Sequence, residues 1–391
     1  MNETPSVGIH DMSFATTHYV LDLDELARHH NVNPAKYHVG LGQDAMSVPA
    51  PDEDIVTMAA TAAAPILQRH GTDHLRTVLI ATETGIDQAK AAALYLHPLL
   101  GLPSTTRVVE LKQACYAGTA AVQMAAGLIA RDPNQQVLVI ASDIAHYQLD
   151  TPAEATQGAG AVALLVSADP AIARLDPVCG LYSADVMDFW RPNYRTTPIV
   201  DGHYSITSYL AAAAQAWRDY SGRGGRDLSE FASFCYHQPF TTMAFKAHHH
   251  LMCSAGITPD PTAIHAALRY TTDYNRVIGN SYTASLYLAL TSLLDHAGDL
   301  TDAPIGLLSY GSGAVAEFFS VTVVPGYREH LRTTATSQAI SSRKPIDYDD
   351  YRALHDTHLP TDGGRHVLDE HTTGGFRLAG VTNHIRVYET C

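Results

Sequence analysis

The sequence predicts an α/β fold built twice. Three observations carry this reading. Strand-like runs rich in Val, Ile and Leu alternate with longer helical runs. The stretches Gly158–Ser167 and Gly311–Ser320 are identical at six of ten positions and lie 153 residues apart. Polar residues also recur at matching places: a shift of 154 takes Glu83 to His237, each at a strand end, and a shift of 165 takes Cys115 to Asn280, each just before a long helix. Each half thus runs from a strand with a polar tip, through a polar residue at a helix start, to a glycine turn. Two such halves packed about a pseudo-twofold axis would bring Glu83, His237, Cys115 and Asn280 to one central site.

The elements follow in order. "DIVTMAATAAAPILQRH" (Asp54–His70) reads as a helix and "TVLIAT" (Thr77–Thr82) as a strand. Val108, Val109 and Leu111 form the next strand; Gly118–Ala130 is an Ala-rich helix with Val122, Met124 and Leu128 as its larger apolar residues. "QVLVIAS" (Gln136–Ser142) and "AVALLVS" (Ala161–Ser167) are strands, as are "FASFCYH" (Phe231–His237) and "IGLLSY" (Ile305–Tyr310). "SYTASLYLALTSLLDH" (Ser281–His296) is a long helix. Thr333–Asp362 is more polar, with a short helical piece expected to open at Pro345. The halves divide as residues 1–170, holding the cysteine, and 171–391, holding the histidine, the asparagine and a C-terminal extension.

The 391 residues, 46% hydrophobic, can bury a large core. No apolar run reaches the roughly 18–20 residues of a membrane span. The start "MNETPSVGIHDMSF" lacks the basic opening and apolar centre of a signal peptide. Five irregularly spaced cysteines argue against a disulfide framework and suit a reducing cytoplasm. A net charge of −15 argues against nucleic acid as a partner, so an anionic ligand needs a locally basic mouth.

Cys115 sits at a strand-to-helix turn, where unpaired N–H groups and the helix dipole favour a thiolate. It reads as an activated nucleophile for acyl transfer or as a small buried core residue. His237 reads as a structural residue or as a group that polarises a carbonyl or moves a proton. Glu83 reads as a surface or helix-start charge, or as a shielded base with a raised pKa. Asn280 would orient His237 or hold a carbonyl oxygen. Backbone N–H groups near Cys115 and in "YGSGA" could form oxyanion holes. Together these parts suit carbon–carbon condensation through an acyl-cysteine.

The segments "TETGIDQAKA" (Thr82–Ala91), "ACYAGTAAV" (Ala114–Val122), "SDIAHY" (Ser142–Tyr147), "TQGAGAVALLV" (Thr156–Val166), "DFWRP" (Asp188–Pro192), "PIVDGHYS" (Pro198–Ser205), "GNSYTASLYL" (Gly279–Leu288) and "YGSGAVAEFF" (Tyr310–Phe319) closely resemble the bacterial hydroxymethylglutaryl-CoA synthases. "AKYHVGLGQDAM" (Ala35–Met46) resembles their N-terminal motif. The resemblance runs in order along nearly the whole chain. It implies the thiolase fold, a duplicated five-layer α/β/α/β/α arrangement, and a homodimer. It implies condensation of acetyl-CoA with acetoacetyl-CoA in the mevalonate pathway, with no metal and no redox cofactor. Cys115 would be the acetylated nucleophile, Glu83 the general base and His237 the acid that binds acetoacetyl-CoA. Asp143, Tyr147, Thr156, Asp188, Ser205, Asn280 and Ser312 would surround the acyl groups and pantetheine, and Lys246 would meet the CoA phosphates. The small-residue face Ala117, Ala120, Ala121 and Ala125 would lie at the dimer contact.

Several positions depart from the family. Thr242 and Phe245 stand where many relatives have lysines, which puts CoA affinity in doubt. Gln113 replaces an acidic residue of some relatives. His248, His249 and His250, with Cys253 nearby, could hold a metal; a solvated helix face is the expectation. An initiating ketoacyl synthase could use the same Cys, His and Asn without Glu83, and a non-catalytic acyl-CoA-binding protein of the same fold would need none of them. "TETGID" and "DFWRP" favour the synthase that needs a base.

Overall fold

The computed structural model describes residues 6–391; the first five residues of the N-terminal stretch read above lie outside the described part. Nine strands form the main sheet: β1 (Gly8–Thr16), β2 (Leu75–Ala81), β3 (Arg107–Leu111), β4 (Gln136–Ala145), β5 (Gly158–Ser167), β6 (Ala173–Ser183), β7 (Ser233–Tyr236), β8 (Pro304–Gly311) and β9 (Val315–Val323). Their order is β7-β8-β9-β6-β1-β5-β4-β2-β3. Outward from β1 the neighbours are β5, β4 and β2; outward from β6 they are β9, β8 and β7. In both halves the first pairings are antiparallel and the last is parallel. The duplication read from the glycine turns is therefore a repeated strand order. The two halves meet at β1 and β6, which share only the pairs Gly8↔Arg174 and Ile9↔Ala173.

Alternation along the strands sets the layers. On β5, Ala159, Ala161, Ala163 and Leu165 face helix α1 (Ile55–His70), while Val162, Leu164 and Val166 face the opposite way. That second face packs on α2 (Ala117–Arg131) and, from the other half, α5 (Ser285–His296). The outer face of the second half-sheet, including Phe234, Tyr236, Leu308 and Phe318, packs on α3 (Gly202–Gly222) and α4 (Thr242–Ser254). The result is helix, sheet, central helices, sheet, helix, the five layers expected. The central pair is close because the contact residues are small: a Cβ on Gly118 would stand 2.8 Å from the Thr283 carbonyl.

This packing corrects one expectation. Ala117, Ala121 and Ala125 are fully buried inside the chain and Ala120 is half-buried, so three of the four small residues pack between the two halves rather than between two subunits. Met124, on the other side of the helix, is exposed.

Helix α1 opens at a capping box, in which Asp54 accepts from the Val56 and Thr57 amides and Thr57 accepts from the Asp54 amide. The C-terminal three-stranded sheet is latched there by Tyr388, whose hydroxyl donates to Asp54 Oδ2 at 2.6 Å. A second small sheet joins Tyr19–Asp22 to Ala45–Val48 and to Lys344–Ile346. Pro345 therefore lies in a strand, not at a helix start. Its missing N–H is harmless because that strand is the edge of the sheet. The helix begins later, at Tyr348, where Asp347 caps it.

Candidate active site

The reactive side chains stand where parallel strands end, the usual place for a ligand in an open α/β sheet. Glu83 follows β2, Cys115 follows β3 and His237 follows β7. Cys115 and His237 line a cavity of about 910 Å³, and Glu83 meets it through the Cys115 thiol. Its wall includes Cys115, Tyr147, Thr156, Ser205, His237, Lys246, Asn280 and Ser312. Residues far apart in sequence, and from both halves, thus converge on one space.

Cys115 comes at the end of a tight turn. Ala114 has φ 44°, a left-handed conformation that costs a non-glycine residue on the order of 1 kcal/mol. The glycine turn of the second half presses on this one. A Cβ on Gly311 would lie 2.5 Å from the Gln113 carbonyl and 2.7 Å from the Tyr116 amide. Gln113 has a structural task here: its Nε2 donates to the Ser312 carbonyl at 3.2 Å and ties the two turns together. The oxyanion role read for "YGSGA" is narrowed, because the Gly313 and Ala314 amides already donate to Asp188 Oδ1 and the Ala184 carbonyl.

The Cys115 thiol donates to Glu83 Oε2 at 3.3 Å. Burial pushes the thiol well above its ordinary range, and the negative charge of Glu83 adds to the shift. Its own backbone N–H pulls the other way but is overcome. The expected thiolate is therefore not the resting form: burial, and after it the charges of Glu83 and Asp143, outweigh the helix start. Burial, then the charge of Asp143, push Glu83 up to about 8. Burial lowers His237 to about 3, so its imidazole is neutral. Its Nδ1 is buried without a partner among the described residues, while its carbonyl accepts from Tyr209 Oη at 2.9 Å.

Asn280 lies between the halves. Its Nδ2 donates to Tyr147 Oη at 3.1 Å, and its Oδ1 accepts the Tyr282 amide at 2.9 Å. Gly279 before it has φ 83° and passes so close to Gln157 that a Cβ would lie 1.9 Å from that carbonyl. Only glycine fits there.

Two residues expected around the ligand stand behind the wall instead. Asp143 is fully buried at the end of β4. Its Oδ1 accepts from Thr82 Oγ1, the Glu83 amide and both the amide and hydroxyl of Thr84, at 2.6–3.0 Å. Its Oδ2 accepts from the amide and hydroxyl of Thr283. One carboxylate thereby fastens the Glu83 loop to the segment after Asn280. Asp188, also fully buried, accepts from Tyr310 Oη at 2.7 Å and from the Gly313 amide at 3.0 Å, and so fixes the turn that carries Ser312.

Sequence reasoning missed Tyr209, Tyr282 and Tyr310 on the wall, and Arg191, which donates to the Glu83 carbonyl at 3.0 Å. Tyr282 and Tyr310, two aromatic positions, and Arg191, a lone cation, lie inside motifs quoted above, and those residue types are the signal for them. At the mouth, exposed Lys246 stands with its ammonium 5.1 Å from the Phe240 ring centroid. Thr242 donates to the Gly40 carbonyl at 2.8 Å, and Phe245 packs against the α3–α4 core. His248 is buried and its Nδ1 meets Tyr236 Oη at 2.8 Å, so the solvated-face reading fails for this residue, while His249 is exposed and His250 half-buried.

Comparison with known proteins settles the lineage. Residues 4–171 match the family model for the hydroxymethylglutaryl-coenzyme A synthase N terminal region, and residues 174–258 and 261–354 match that for its C terminal region. The chain belongs to the hydroxymethylglutaryl-CoA synthase family. It is 39% identical over 386 residues to a hydroxymethylglutaryl-CoA synthase of Enterococcus faecalis, covering 98% of this chain and 99% of that one. A crystal structure of an HMG-CoA synthase complexed with CoA superposes with a TM-score of 0.93 at 38% identity, over 99% of this chain and 100% of that one. The HMG synthase of the curacin biosynthetic pathway, in complex with a holo donor-ACP, gives 0.91 at 32% identity over 98% and 100%. The five-layer arrangement described above is thus the thiolase-like fold of the HMG-CoA synthases.

Proposed function

We propose that Cys115, Glu83 and His237 carry the family's reaction, the condensation of acetyl-CoA with acetoacetyl-CoA and water to 3-hydroxy-3-methylglutaryl-CoA and CoA, which feeds the mevalonate route. The observation that carries the assignment is the thiol of Cys115 bonded to the raised carboxyl of Glu83, with Cys115 and neutral His237 on the wall of one cavity.

Cys115 attacks the acetyl thioester; the C–S bond to CoA breaks, and the thiol proton leaves with the departing CoA. Acetyl-CoA has then been exchanged for an acetyl group on Sγ, within reach of Glu83. The ionised form of Glu83 takes a methyl proton, which a carboxyl near pKa 8 can do close to neutrality. The carbanion attacks the ketone carbon of acetoacetyl-CoA. The N–H of the neutral His237 ring supports the new alkoxide, and the proton held by Glu83 is available to complete it. Water then cleaves the thioester at Cys115 and frees the product. Tyr147, Asn280, Thr156, Ser205 and Ser312 bind the acyl chain and pantetheine, and Lys246 meets the CoA phosphates. Asp143 and Asp188 are positioning residues, acting through Glu83, Thr283 and the Ser312 turn.

CoA is favoured over an acyl carrier protein as the thioester carrier. The 39% relative that covers 98% of the chain is a CoA enzyme, against 34% identity to a 3-hydroxy-3-methylglutaryl-ACP synthase of Bacillus subtilis and 32% to the curacin carrier-protein system. Residues 1–170 and 171–391 serve as the two functional halves. A homodimer through edge strand β3 and the outer face of α2 suits the exposure of Val109 and Met124; sedimentation that finds only monomer at micromolar concentration would exclude it.

The test is peptide mapping by mass spectrometry after brief exposure to acetyl-CoA, and separately to an acetylated carrier protein. Acetyl on Cys115 alone is expected, from CoA in preference. The exposed Cys253 and Cys391 are internal controls. Acetyl on either of them but not on Cys115 would sink the assignment.

A further inference from the structure

A second group of ligand-type side chains stands outside the catalytic cavity. The short helix Leu23–His29 ends in two adjacent imidazoles, His29 and His30, and Asp150 reaches them from the loop between β4 and β5. One donor atom of each lies within 4.8 Å of the others. Some point is then within about 2.8 Å of all three (4.8/√3), and an inward movement of about 0.7 Å by each reaches the bond lengths of zinc to imidazole and carboxylate.

The three side chains are held in place by their surroundings. The His29 ring stacks on Tyr348, with centroids 3.6 Å apart and an interplanar angle of 15°. Glu154, fully buried, bonds through Oε2 to His30 Nε2 at 3.1 Å and to the Asp150 amide at 2.7 Å. Its other oxygen has no hydrogen-bond partner among the described residues. The same Asp150 amide bond steadies a residue with φ 61°, unfavourable outside glycine. Arg352 lies 3.5 Å from Asp150 Oδ2, while Oδ1 stands 4.0 Å from His29 Nε2. Calcium and magnesium prefer all-oxygen sets; two imidazoles and a carboxylate suit a zinc-type ion.

We infer that His29, His30 and Asp150 form a site for one divalent transition ion, with its remaining position open to water. The site lies on the loop that supplies Tyr147, Thr151, Ala153 and Thr156 to the cavity wall. A bound ion therefore fastens that wall to the amino-terminal helix.

The experiment is equilibrium dialysis of the full chain against zinc chloride, with cobalt chloride as a spectroscopic substitute. It is run in a His249→Ala/His250→Ala background, because those two residues line a separate cleft with His265. One ion per chain is expected, with visible cobalt bands of nitrogen and oxygen ligation. Separate His29→Ala, His30→Ala and Asp150→Asn variants should each bind at least about tenfold more weakly, the loss seen even for outer ligand partners. Asp150 is exposed, so its variant tests the site where a histidine variant fails to fold. Equal binding by the parent and the Asp150→Asn protein, or no ion retained at micromolar zinc, overturns the inference.

Discussion

Glu83→Gln should uncouple the two halves of the reaction. The amide keeps the size of the carboxyl beside Cys115 Sγ, 3.3 Å away, but cannot take a proton. Loss of a positioned base costs about 10²–10⁴-fold, and condensation should fall by that factor. Acetylation should survive. Burial and then the charge of Glu83 hold the thiol up, so a neutral amide lets it ionise at lower pH. The pH profile adds a second reading. With Glu83 at about 8, about a tenth of it is ionised at pH 7, so parent condensation should rise about tenfold from pH 7 into the alkaline range. The variant should lack that limb. Stability should move the opposite way. Glu83 is raised from an ordinary 4.5, so the folded state holds its proton more tightly than the unfolded chain. The parent therefore loses stability as pH rises from about 4.5 through about 8, amounting to about 3 kcal/mol at pH 7. The variant should melt higher than the parent at alkaline pH, with the gap closing in acid. Rapid quench with radiolabelled acetyl-CoA follows acetyl-enzyme and product separately. Near-parental condensation by Glu83→Gln would refute the reasoning, whatever the melting curves show.

Three further changes probe the supports. Asp143→Asn, with its oxygen kept towards the Glu83 loop, leaves the Thr283 amide without an acceptor; denaturant unfolding should show a loss of about 1–3 kcal/mol, and the condensation limb should shift to lower pH because a charge near Glu83 is gone. Thr242→Lys should lower the KM for acetyl-CoA several-fold in a salt-sensitive way while sacrificing the bond to Gly40, and a KM unchanged at low salt would place the phosphates elsewhere. Gly279→Ala should destabilise by about 3 kcal/mol or more, read as a lowered melting temperature, since its Cβ would overlap the Gln157 carbonyl.

Most of the sheet could be read from the sequence because its central strands are continuous apolar runs covered on both faces. β1 and β6 were harder. Asp11 in β1 and Asp176 in β6 look like surface charges, yet Asp11 is buried against Arg69, His70 and Arg332, and Asp176 meets Arg226. Helix α3 was not read from the sequence at all. Cys115, Glu83, His237 and Asn280 emerged from the repeat because each marks an element end. The hub role of Asp143 could not emerge that way, since its donors come from Thr82–Thr84 and from Thr283, about 200 residues further on. The thiolate expectation failed for a related reason. A helix start is a local cue, whereas the burial and the carboxylates that raise the thiol exist only after folding.

The raised thiol also bears on how long the protein survives in air. Peroxide and other oxidants attack the thiolate, so a cysteine that remains protonated is slow to climb towards sulfenic and sulfinic acid. Cys115 is held as a thiol by its burial and then by the nearby charges of Glu83 and Asp143. The exposed Cys253 and Cys391 meet solvent oxidants first. The proposed nucleophile is thus protected as a thiol in the absence of substrate.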